Sequence, residues 1–399
     1  VSEYQYYEFA AVDRPLTAQQ QAELRSRSTR ATITASSFLN EYHWGDLKGN
    51  PVEWVQRYFD AHVYSANWGS CRLLLRVPRE LFEAGLLRDY TGRAGQAARG
   101  RFTDAFNATD TDKYWLLDWW FNDDSGEHER FSEDVAGEQW MARLLPIRDE
   151  LIRGDTRALY LGWLARLGND ELRDDAREPP LPDGLKTLTP AQTALAEFLM
   201  LDPDWLAAAA ETSAPLAVES EGEGRFDPWL RSLKADEMHI SLRALLHGRS
   251  QEAERTLRQE YHKWMRKHAP KHSTPPERRR VTDMASRVDV HRAMREQREQ
   301  EVRDAAESRR RAERVRYLKS LLQDEDRMWS LIDSTLQRAS GSAYEQAFQK
   351  LQDLAEAYGI AKRDGAFRRR LVQLMASHGK RGAWVSRLKK AGYLGESGQ

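Results

Sequence analysis

The chain of 399 residues is 40% hydrophobic and 31% charged, with 13 Trp, 14 Tyr and 12 Phe; this excludes wholesale disorder and implies two to four domains at roughly 100 to 200 residues each. No run approaches the ~20 apolar residues of a spanning helix, the first residues carry no basic-then-apolar signal, and the single Cys71 allows no internal disulfide, so a cytosolic protein with no membrane segment is expected. The net charge of -1 conceals a division, because residues 1–240 hold 26 Lys/Arg against 41 Asp/Glu while residues 241–399 hold 35 against 21.

Alternating strands and helices are expected over the first ~80 residues. Tyr4 to Val12 is β-rich, and Thr17 with Gln20 forms a capping box ahead of a helix from Ala18 to Arg27. Residues 31–38 and 39–44 form two strands or one bent strand. Asn50, Pro51 and Glu53 mark a second helix start, with Val52, Val55, Phe59 and Val63 on one stripe. In Cys71 to Val77, Cys71, Leu73, Leu75 and Val77 share one face and Arg72, Leu74 and Arg76 the other. The order β-α-β-β-α-β has the split βαβ, ferredoxin-like tendency. A strand from Lys113 to Asn122, with Trp115, Leu117, Trp119 and Phe121 on one face, extends the sheet.

From Gly137 the hydrophobic period becomes helical. Trp140, Leu144, Leu145, Ile147 and Leu151 suit one helix, and Leu159, Trp163, Leu164 and Leu167 another, separated by Gly154 and Asp155. Residues 170–184 read as a linker. Thr189-Pro190 with Gln192, and Asp202-Pro203, give two further helix starts, and residues 211–225 form a candidate hinge. Beyond Asp227 only helix is expected, interrupted by Pro270, Pro275 and Pro276 and resuming near Thr282. Apolar residues are so sparse from His291 to Arg311 that this helix must stay exposed; Glu299 with Arg303 and Glu307 with Arg311 would support it. Leu318, Leu322, Met328, Trp329, Ile332 and Leu336 then form an apolar stripe. Ser342 with Glu345 caps a helix carrying Phe348, Leu351 and Leu354, and stripes at 367–375 and 384–388 complete antiparallel pairs of the helical-repeat kind.

The expected class is therefore an α+β N-terminal domain followed by a mainly α-helical middle and a helical-hairpin C-terminal region. Its divisions are an α+β head (1–135), a helical middle (136–248), long basic helices (249–325) and a hairpin tail (326–399).

At Tyr4-Gln5-Tyr6-Tyr7-Glu8-Phe9, at Asp13-Arg14-Pro15-Leu16, at EYHWGD over 41–46 and from Tyr58 to Trp68, the chain resembles an uncharacterised bacterial protein family. From Tyr344 through Leu354 to Phe367, Leu371, His378 and Leu388 it is similar to the helical tail of bacterial SWIM zinc-finger proteins. The finger's Cys-x-Cys and Cys-x-His ligands are absent, since Cys71 is the only cysteine. These resemblances imply a bacterial intracellular protein with an α+β head and a helical tail.

P-loop, dinucleotide, nucleophile-elbow and His-Glu-x-x-His motifs are all missing. Glu41, His43, Asp46, Asp60 and His62 have the side chains of a divalent-metal site, but on a helix Asp60 and His62 diverge by about 200°, so no cofactor or metal is expected. Tyr4 with Tyr6, or Tyr7 with Phe9, and Tyr42 with Trp44 could stack bases; core packing is the commoner role of such residues. Residues 249–320 carry 21 Lys/Arg against 12 Asp/Glu. There Arg278, Arg279, Arg280, Arg295, Arg298, Arg309, Arg310, Arg311 and Arg314 make a polyanion or partner surface, or a helix lying on the acidic half of its own chain. The reading is a non-enzymatic adaptor for a protein partner. A nucleic-acid-binding protein using residues 249–320 and a metal-dependent enzyme at His43 and His62 are the alternatives.

Overall fold

The structure, a computed structural model, describes residues 4–91, 104–122, 140–216, 226–268 and 278–394. It divides into two units, Val1–Ala293 and Met294–Gln399. The division lies inside a helix.

The first unit is built on an antiparallel sheet. Strand β1 (Gln5–Ala10) leads to α1 (Ala18–Arg27), which opens with the Thr17–Gln20 capping box. Next come β2 (Thr32–Ile33), β3 (Ser37–Tyr42), α2 (Pro51–Arg57) behind its Asn50 cap, β4 (Ala61–Ala66) and β5 (Cys71–Pro78). The spatial order β2-β3-β1-β4, with every neighbour antiparallel, is the split βαβ arrangement. After α3 (Ala84–Thr91), β6 (Phe106–Asp110) and β7 (Tyr114–Phe121) widen the sheet to seven strands, with β7 lying between β5 and β6.

One expectation fails inside this sheet. The helical stripe through Phe59 and Val63 ends early, since α2 stops at Arg57 and Ala61–Ala66 is the strand β4. The sheet captures this segment through Asp60. Its N–H donates to Ala10 O at 2.8 Å, and its carboxylate accepts the N–H groups of Val12 and Asp13 at 2.7 and 2.9 Å. Strand parity then sends Val63 and Tyr64 to opposite faces. The fourth strand of the split βαβ unit is thus β4, and β5 is an addition.

Both faces of the sheet are covered. Tyr7, Phe9, Phe38, Tyr64, Leu74 and Leu116 pack beneath α1 and α2 with Leu24, Trp54 and Val55. Val63, Leu73, Leu75, Trp115, Leu117 and Trp119 face a helical layer. That layer holds α4 (Trp140–Leu144), α5 (Pro146–Ile152), α6 (Arg157–Gly168), α7 (Pro190–Phe198) and α8 (Pro203–Ala210). The helix expected over 140–151 is two helices, because Pro146 has no N–H to continue the ladder.

Next are α9 (Asp227–Leu230), α10 (Ala235–Leu246), α11 (Ser250–His268) and α12 (Val281–Gln323). The hinge residues 217–225 and Pro270, Pro275 and Pro276 lie outside the described residues. From Asp227 onward every regular element described is a helix, apart from the isolated bridge between Arg177 and Arg280. No helix among the described residues is long and apolar enough to cross a membrane.

In the second unit, the end of α12 packs with α13 (Glu325–Gln337), α14 (Gly341–Ile360), α15 (Asp364–His378) and α16 (Gly382–Lys390). Leu318, Trp329, Ile332, Leu351, Leu354, Phe367 and Trp384 form its core. The α14 cap is Ser340 instead of Ser342: Ser340 Oγ accepts Ala343 N–H at 3.2 Å, which puts Ser342 inside the first turn.

Candidate functional site

The five candidate metal ligands do not converge. Asp60 is buried in a charge network in which Arg76 reaches Oδ1 at 2.7 Å, Arg148 lies 3.7 Å away, and Arg148 also pairs with Asp13 at 2.6 Å. The two arginines and two backbone donors hold the Asp60 carboxyl below the usual range despite its burial. Desolvation and the neighbouring Asp60 raise that of Asp13. His62 is fully buried on β4, its ring stacked on Phe9 at 4.1 Å. Its Nδ1 lies 3.0 Å from Glu8 O, so Nδ1 carries the proton and donates it. Burial, with Arg72 nearby, depresses its pKa to about 3, and the ring is neutral. Glu41, His43 and Asp46 instead line a surface cavity at the end of β3. Asp46 accepts the Tyr7 hydroxyl at 2.5 Å. Among the described residues, no group of three or more His, Cys, Asp or Glu is gathered to hold a metal ion.

Four of the six proposed base-stacking aromatics are core residues. Tyr4, Tyr6, Tyr7 and Phe9 are buried, because the sheet carries packed elements on both faces where a stacking platform would need one face open. Tyr42 is half-buried, and only Trp44 stands in solvent, 81% exposed.

The arginines separate into two sets. Arg278 pairs with Asp89 at 2.9 Å, and Arg279 forms a fork with buried Glu178 at 2.7 and 2.8 Å while donating to Ala208 O at 3.0 Å. Arg280 donates its N–H to Asp283 at 3.1 Å and leaves its side chain exposed. Two turns further, Arg287 and His291 both engage Glu211, at 2.5 and 2.9 Å, and drive its carboxyl down to about 2. The start of α12 therefore lies on acidic residues of its own unit.

In the second unit, Arg295 pairs with Glu299 at 3.1 Å and Arg311 with Glu307 at 2.7 Å. Arg314 spans to Asp353 and Glu356 of α14 at 2.5 and 2.6 Å. Arg298, Arg309 and Arg310 are exposed and make no ion pair among the described residues. At 100° per residue, Arg298, Arg309 and Arg316 fall within about 20° of one line along the helix. Val302 and Ala305 share that face, and the nearest acidic residues, Glu301 and Glu313, sit about 60° to either side of it.

Sequence reasoning passed over α10. None of its twelve residues is buried, and Met238, Ile240, Leu242, Leu245 and Leu246 are all exposed, Ile240 by 68% and Leu246 by 88%. Met238, Leu242 and Leu245 are spaced i, i+4, i+7, so they share one side. That spacing was the available signal, but it reads the same for a helix that docks internally.

No family model, curated protein or solved structure matches the chain. The resemblances of its head and tail therefore supply no site residue.

Proposed function

We propose that the chain is a non-enzymatic adaptor that binds a protein partner through helical surfaces, with α10 as the contact. The observation that carries this reading is the exposed row Met238, Leu242 and Leu245, extended by Leu246. Large apolar side chains gathered on one exposed helix mark protein contacts more often than scattered ones do. Met238, Leu242 and Leu245 are already about half covered, so burying the remainder of each is worth about 1 kcal/mol. The occupant that fits is an amphipathic helix with acidic flanks. Its apolar stripe would match the i, i+4, i+7 row, and α11, on which α10 packs, carries five Lys/Arg against three Asp/Glu over 250–268.

The test is capture from native cells with the full chain and with a Met238→Ser/Leu242→Ser/Leu245→Ser variant, each with and without nuclease. A discrete protein retained after nuclease and lost with the variant supports the adaptor. Equal capture by the variant refutes α10 as the contact, and capture that nuclease abolishes moves the function to nucleic acid.

That second reading has its own observation, the outward line of Arg298, Arg309 and Arg316. Guanidinium groups that lack carboxylate partners can contact phosphates without first breaking an ion pair.

A further inference from the structure

The cavity at the end of β3 has a volume of about 600 Å³, within the range of small-ligand sites. Its walls come from two places. Arg27 and Arg30 flank the exit of α1, and Asn40 to Tyr42 belong to β3, followed by the loop from His43 to Asp46 and by Lys48. Strand β2 pairs with β3 only at Phe38 and Leu39, so among the described residues no strand lies along the outer edge of Asn40 to Tyr42. The Asn40 amide donates to Ser28 Oγ at 3.1 Å and ties the two walls together.

The loop is pinned from below by polar groups taken from the core. Gln5 Nε2 donates to Gly45 O at 2.9 Å, while Gln5 Oε1 accepts the Tyr64 hydroxyl at 3.1 Å and lies 3.3 Å from the Tyr7 oxygen. Tyr7 also reaches Asp46, which further accepts Leu47 N–H at 2.7 Å. Gly45 has φ +88°, a left-handed turn that glycine adopts without strain. The loop is therefore held in place while it presents Trp44, the most exposed aromatic among the described residues.

The charges around the cavity are unequal in availability. Asp46 is committed to Tyr7 and Leu47, which leaves Glu41 as the acidic group open to a ligand. Arg27, Arg30 and Lys48 are exposed and make no ion pair among the described residues. An exposed indole on a tethered loop, beside three available cations, fits a ligand with a planar ring and an anionic group. We infer that this cavity binds a phosphorylated nucleoside, the base stacked on Trp44 and the phosphate held by Arg27, Arg30 and Lys48. The source is a free nucleotide or a residue of a single strand. The site stands apart from the α10 contact and does not depend on it.

Thirteen tryptophans make bulk fluorescence uninformative. The full chain is therefore labelled with 5-fluorotryptophan, its Trp44 ¹⁹F resonance is assigned with Trp44→Phe, and it is titrated with adenosine monophosphate, adenosine, inorganic phosphate and a hexa-adenylate. Adenosine monophosphate should shift the Trp44 resonance selectively, with adenosine and phosphate at least tenfold weaker. Arg27→Gln/Arg30→Gln should weaken it about tenfold or more. Trp44→Ala, an exposed position, should abolish binding measured by calorimetry while leaving the melt unchanged. Hexa-adenylate binding tighter than the mononucleotide at the same resonance identifies a single strand as the source; equal or weaker binding identifies a free nucleotide. No shift of Trp44 with any probe at millimolar concentration, or calorimetric binding that survives Trp44→Ala, overturns the inference.

Discussion

Replacing His62 with Asn should remove a large part of the acid sensitivity of the first unit. The ring is neutral in the fold, with Nδ1–H donating to Glu8 O and Nε2 buried against no polar partner among the described residues. Protonating Nε2 would place a charge beside Phe9 and toward Arg72. In the unfolded chain the same histidine titrates at 6.5, whereas in the fold it titrates at about 3. Below 6.5 the unfolded state therefore binds the extra proton, and stability falls with pH until about 3, where the folded ring also protonates. The full gap corresponds to roughly 5 kcal/mol at 1.36 kcal/mol per unit. Between about pH 7.5 and 4.5 His62 should contribute a loss of roughly 3 kcal/mol. Asn retains a donor near the Nδ1 position and does not titrate, so its own cost is the same at every pH. The assay is urea unfolding followed by tryptophan fluorescence, which reports mainly the first unit because 11 of the 13 tryptophans precede residue 294. The difference between the two proteins cancels the other titrating groups. Parallel stability curves over that window, or an imidazole titrating near 6.5 by NMR, would refute the reasoning.

Asp60→Asn should destabilise the first unit by about 3–5 kcal/mol, because Arg76 and Arg148 lose the charge that balances them in a buried site; a loss below about 1 kcal/mol in the same urea assay would show the network to be dispensable. Gly162→Ala places a Cβ 2.5 Å from Phe106 Cγ and 2.7 Å from Trp119 Nε1. Both rings are fully buried, so an overpacking cost of about 1–3 kcal/mol or more should outweigh the ~1 kcal/mol gain in helix propensity, and an unchanged or raised melting temperature contradicts it. If α12 contacts duplex DNA, Arg298→Gln/Arg309→Gln/Arg316→Gln should lower the slope of log affinity against log salt by about 2.7, at ~0.9 per phosphate; the same three changes should leave stability within about 0.5 kcal/mol.

Much of the α+β head was legible because its signals are local. The Thr17–Gln20 box, the Asn50-Pro51 start and the alternation in Cys71–Val77 each require only neighbouring residues, and each is present where the sequence puts it. Strand β4 was not legible. Its residues are buried on both faces, so the period-2 pattern is lost and Val52, Val55, Phe59 and Val63 fit a helical spacing by chance. Asp60 settles the choice, but its partners Val12, Asp13, Arg76 and Arg148 lie far away in the chain. Pro146 divided a helix that hydrophobic period alone had joined.

The candidate site was less legible for the same reason, applied to charge. Counting arginines over 249–320 shows an excess, but not which members already have carboxylates. Arg279 meets Glu178 across 101 residues, and Arg287 meets Glu211 across 76. Those pairs turn the first cluster from a ligand surface into a fastening within the first unit, and a phosphate approaching Arg279 must displace the buried Glu178 carboxylate. Arg298, Arg309 and Arg316 meet no such competition. The same logic separates the aromatics, for Tyr4, Tyr6, Tyr7 and Phe9 are buried between covered faces while Trp44 is not. An indole left in water gains nothing for the fold, whereas the Gln5, Tyr7 and Asp46 contacts beneath it restrict its loop at an entropic cost. A loop restrained in this way, with its largest apolar group facing outward, is arranged for a ligand and not for packing.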